Sequence, residues 1–192
     1  MELQKFGIKL FAVEPADVRL TEFIPVFHRW IQNRVVEGLL IDVADYGHVV
    51  DGPGIVLVAH EGNYAMDETG GRLGLLYLRK QPLGGDLAGR LARAAEIALE
   101  ACRELERAPE LAGRLKFRTD EILVFANDRL VAPNTEETWK TFEPELGEFL
   151  SRLFPGAELE LERERDPKER FTMTVKVKGM SDVGTLLARL AA

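Results

Sequence analysis

Between Leu87 and Leu105 the apolar residues return every three or four positions: Leu87, Leu91, Ala94, Ala95, Ala98, Leu99, Cys102 and Leu105. That spacing gathers them on one side of a helix with 3.6 residues per turn and predicts a long helix over about residues 85–106. An apolar stripe of this length must be buried against another layer. The rest of the chain supplies strands for it.

Residues 4–13 alternate, with Phe6, Ile8, Leu10 and Ala12 on one side. Leu39–Ala44 reads as a buried strand. Ile55–His60 and Tyr64–Met66 form a hairpin turning at Glu61-Gly62, and Gly70-Gly71 leads into a strand over Arg72–Lys80. A second hairpin is expected from Arg114–Arg118 and Glu121–Ala126, turning at Thr119-Asp120. In the third, Leu159 and Leu161 alternate with glutamates, Asp166-Pro167 turns, and Phe171, Met173, Val175 and Val177 point inward. Thr21 is placed to cap a helix carrying Phe23, Ile24, Phe27 and Ile31. Asn134 is placed to cap another, with Glu137 three residues on, and Pro144 should kink or break it. Ser181-Asp182 precedes a last short helix. The expected fold is α+β: an antiparallel sheet of three hairpins plus the N-terminal strand, with helices mainly on one face. No stretch looks like an interdomain linker, so residues 1–192 are read as a single domain.

Composition narrows the function classes. With 46% hydrophobic and 30% charged residues, the chain is neither disordered nor collagen-like. No apolar run reaches the roughly 20 residues of a membrane helix, and the N-terminal segment has no apolar signal core. Twenty-five basic against 32 acidic residues leave a net charge of −7 and no basic face. Nucleic acid and anionic membrane are therefore not expected partners. One cysteine, Cys102, excludes an internal disulfide framework and points to a reducing, cytoplasmic setting.

One stretch is anomalous. The 37 positions between Arg34 and Arg72 hold no Lys or Arg, where 25 in 192 would place about five. They do hold seven acids together with His48 and His60, and His28 lies just upstream. Acids and imidazoles without built-in cations suit a divalent metal or a small ligand. Asp42, inside the apolar run LLIDVADY, needs a partner such as Arg29, His28, a metal or backbone amides. If the 39–44 strand neighbours the 55–60 strand, Asp45, His48 and His60 converge as metal ligands, with Asn63 and Tyr64 nearby. No HExxH or HxH spacing supports a metal, and neither GxxxxGK[ST] nor GxSxG occurs. No cofactor is indicated.

The segments FIPVFHRWIQ (23–32), LLIDVADYGHV (39–49), GPGIVLVAHEGNYAMD (52–67), RLGLLYLRK (72–80) and APNTEET (132–138) together resemble an uncharacterised family of bacterial proteins. The resemblance implies a bacterial, cytosolic protein and transfers no catalytic or binding residue. Two readings stand. In one, a small ligand or divalent metal sits among His28, Arg29, Asp42, Asp45, His48, His60, Asn63 and Tyr64. In the other, the chain is a non-catalytic module that self-associates or docks onto a protein, with Trp30, Tyr46, Tyr64 and the sheet edges as contact surface.

Overall fold

In a computed structural model, which describes residues 1–191, the chain builds one eight-stranded antiparallel sheet and four α-helices. In chain order these are β1 (Phe6–Ala12), α1 (Phe23–Asn33), β2 (Leu40–Tyr46), β3 (Gly54–Ala59), β4 (Gly62–Asp67), β5 (Gly74–Arg79), α2 (Leu87–Glu106), β6 (Phe117–Ala126), α3 (Glu136–Leu153), β7 (Leu159–Arg163), β8 (Thr172–Val177) and α4 (Val183–Leu190). The sheet order is β2-β3-β4-β5-β1-β6-β8-β7, so the N-terminal strand lies near the middle and β2 and β7 are the edges. The fold is α+β. No described helix is long and apolar enough to cross a membrane.

Strand alternation explains the layering. Ile8 lies opposite Tyr77 and Val124, Leu10 opposite Leu75 and Ile122, and Tyr64 opposite Tyr77. Each points to the helix side, where the stripe of α2 from Leu87 to Leu105 is buried as its spacing requires. Trp30 of α1 packs edge-on against Tyr64, and Phe142 of α3 packs edge-on against Phe171. Asp86 caps α2 by accepting the Gly89 amide, and Asp182 caps α4 by accepting that of Thr185.

Three local expectations are corrected. Residues 117–126 are one continuous strand rather than a hairpin turning at Thr119-Asp120. Thr119 is buried, and its hydroxyl donates to the Ser181 carbonyl while accepting the Ser181 amide. A β-branched residue held on both sides in this way belongs to a strand. The cap of α3 is Thr135, which accepts the Thr138 amide, while Asn134 donates to the Asp166 carbonyl instead. Pro144 does not break α3. Phe142 and Leu146, on either side of it, are both buried, and that packing holds the helix through the missing amide.

Candidate functional site

The structure disperses the residues singled out in the acidic segment. β2 does pair with β3, and the register places Leu40 opposite Ala59 and Asp45 opposite Ile55. His60, just past Ala59, is therefore at one end of this pair, and Asp45 and His48 are at the other. Five residues at about 3.3 Å each separate the two ends by roughly 17 Å. Asp45 is occupied locally, accepting the Gly47 amide at 2.8 Å, and His48 is exposed in the following turn. Among the described residues no three of His, Cys, Asp and Glu are grouped to hold a metal ion.

The other candidates have separate neighbours. His28 is exposed on α1, and Arg29 is paired with Glu110 through Nε at 2.7 Å and Nη2 at 3.2 Å. Asn63 accepts the Ala59 amide, closing its own hairpin. Tyr64 is buried and donates to the Glu37 carbonyl at 3.0 Å; burial pushes its hydroxyl pKa upward. Trp30 is fully buried too, so neither ring forms contact surface. Asp42 is not buried in an apolar strand. It is exposed on the sheet edge, and its carboxylate accepts the next residue's amide, Val43 N–H, at 2.8 Å.

A groove lies at the end of the sheet where β2 and β4 finish. A cavity of about 630 Å³ is lined by Glu14, Ala16, Val18, Glu68 and Leu73. It meets a second of about 210 Å³ beside Leu20, Tyr46, Val49, Val50 and Asp51, with Glu68 common to both.

The larger feature is the sheet face turned away from the helices. Paired residues form a row across all eight strands: Ala44, Val56, Ala65, Leu76, Lys9, Leu123, Thr174 and Glu162. One step along, Val58, Leu78, Gly7 and Phe125 share that side. Val56, Ala65 and Phe125 are buried among their lateral neighbours, and Val58, Leu76, Leu78 and Leu123 are half-buried. None of these residues belongs to the core beneath the helices. Gly7 keeps this face low, since a β-carbon there would run into the Phe125 ring. The signal was present in the sequence: GIVLVA of β3, GLLYLR of β5 and EILVFA within β6 are apolar on both sides of the strand, a pattern of strands covered on both faces.

Below the apolar rows the same face is ionic. Lys9 Nζ donates to Asp67 Oδ1 at 2.5 Å and to the Arg72 carbonyl at 3.0 Å, with the Lys9 and Asp67 side chains only 6% and 3% exposed. Gly74 leaves room for the lysine stem: an added β-carbon would stand 2.7 Å from Lys9 Cε. Arg72 makes a two-pronged bond to Glu121 at 2.7 and 2.8 Å and stacks over Phe11 at 3.8 Å. Through that bond Arg72 holds the Glu121 carboxyl pKa below its usual range. Lys176, beside Glu121, pairs with Glu162. Each of these charges has its counterion within the chain. Asp42, opposite Val58, and Glu160, opposite Lys176, share this side without an ion partner among the described residues.

Neither a family model, nor a curated protein, nor a solved structure matches this chain.

Proposed function

We propose that this protein is a non-catalytic self-associating module, in which the helix-free face of the sheet packs against the same face of a second copy. The observation that carries the reading is the two-sided apolar character of β3, β5 and β6, with the helices covering one side only. A second copy fits this surface in size. Eight strands about 4.8 Å apart, each showing about three residues at roughly 6.7 Å intervals, give a face of about 770 Å². A standard protein–protein interface takes about 800 Å² from each partner. The acidic net charge would oppose association, but most of the charge at the centre of this side is already paired as Lys9–Asp67, Arg72–Glu121 and Lys176–Glu162, which leaves Asp42 and Glu160 towards the edges. The apolar centre with a polar rim is the usual anatomy of such interfaces.

Sedimentation of the wild-type chain should give about twice 21.5 kDa at micromolar concentration. Leu78→Asp, which sets a carboxylate in the middle of the contact, should give a folded monomer with unchanged far-ultraviolet circular dichroism. Because Cys102 is buried, Leu76→Cys, at a half-buried position near the middle of the face, carries the one accessible thiol and should cross-link two copies. A wild-type chain that stays monomeric to millimolar concentration would falsify the reading.

A further inference from the structure

The two edges of the sheet are defended unequally. The edge strand β7 carries Glu160, Glu162 and Arg163, charges that discourage strand addition. β2 reads Leu-Ile-Asp-Val-Ala-Asp-Tyr and has no basic residue; Ile41 on it is 56% exposed, as is Leu39 before it at 63%. An edge of seven residues, five of them apolar, with alternate amides turned outward is a template for the same strand of another copy. Two devices interrupt it. The register with β3 shifts between Leu40 and Asp42, a bulge at Ile41, and the Asp42 carboxylate occupies the Val43 amide.

We propose that Asp42 guards the β2 edge against antiparallel pairing with β2 of a second copy, so that assembly does not spread from sheet to sheet. Its oxygen takes the Val43 amide that an incoming carbonyl would need. Its charge adds to this: a β2–β2 ladder centred on Val43 would set the two Asp42 carboxylates diagonally on one face, and residues 35–71 of neither copy supply a Lys or Arg. The inference rests on the edge geometry; because Asp42 also faces the helix-free side, opposite Val58, protection of the outward Val43 amide is what separates edge pairing from face contact.

The test is sedimentation velocity over about 10 µM to 1 mM, with Asp42→Val introduced into the Leu78→Asp background so that the helix-free face is disabled. Asp42 is exposed, so the substitution leaves the core intact. The expected result is new self-association, roughly tenfold tighter or more than in Leu78→Asp alone, with slowed amide exchange at Val43. Asp42→Asn keeps an acceptor for the Val43 amide and removes the charge, and is expected to associate less than Asp42→Val. Unchanged sedimentation of Asp42→Val would overturn the guard. Equal association of the Val and Asn variants would remove the hydrogen bond from its mechanism. If Leu78→Asp proves no different from wild type while Asp42→Val associates with slowed exchange at Val43, the edge inference stands and the face reading falls; association of Asp42→Val without that slowing overturns the edge inference.

Discussion

Lys9 and Asp67 show how one residue's cost depends on another. A buried ammonium or carboxylate is expensive to desolvate, and the pair is tolerated because each neutralises the other at 2.5 Å. Lys9→Met leaves the Asp67 carboxylate buried without its cation and should lower unfolding free energy by about 3–5 kcal/mol, read from urea midpoints. Adding Asp67→Leu should restore most of that loss, and a double variant as unstable as the single one would refute the pairing argument. Gly7 and Phe125 form a second coupled pair. Gly7→Ala should destabilise the wild type, whereas in a Phe125→Ala background the same change should be close to neutral, because the ring that blocks the added carbon has gone. At this scale the sequence was a poor guide. Asp42 sits inside an apolar run and Asp67 just before the polar Glu68-Thr69, yet the first is exposed on an edge and the second is buried beside Lys9, 58 residues away in sequence.

Elements were more legible than residues where their signal was local. The stripe of α2 and the alternation of β7 and β8 were readable because helical and strand periods are written within a few residues. β6 was misread as a hairpin because Thr119-Asp120 resembles a turn until Ser181 closes on the threonine hydroxyl. α3 was expected to kink or break at Pro144; it does not break, because the local cost is outweighed by packing on both sides. Pro144→Ala should therefore stabilise the protein, by about 1 kcal/mol or more, since it removes a helix-interior proline without touching the buried stripe. A melting temperature equal to or below that of wild type would show that the helix is shaped around the proline.

For the whole molecule, acid is the weak side. Bonding to Arg114 holds the Glu22 carboxyl near pKa 2, and Arg29, Arg118 and Arg72 lower those of Glu110, Asp120 and Glu121. A carboxyl pKa lower in the folded than in the unfolded chain contributes stability above about pH 4.5, and that stability is lost as pH falls towards about 2. Urea midpoints should be steady between pH 5 and 7 and fall through that window; Arg114→Gln should make the fall shallower. Association belongs to the same scale, because the helix-free face exists only after β1 and β6, distant in sequence, lie side by side and next to the β3–β5 meander.

Periodicity and spacing along the chain by themselves determined the α+β class, the long helix, the outer hairpin and the placing of helices mainly on one face. Each is a preference carried by neighbours within a turn of helix or a few strand residues. Only the tertiary structure decided that His60 lies at the far end of the β2–β3 pair from Asp45 and His48, that Lys9 meets Asp67, and that an apolar sheet face is left without helices. Those are distances between segments remote in sequence, fixed by strand order and register, which no local pattern encodes.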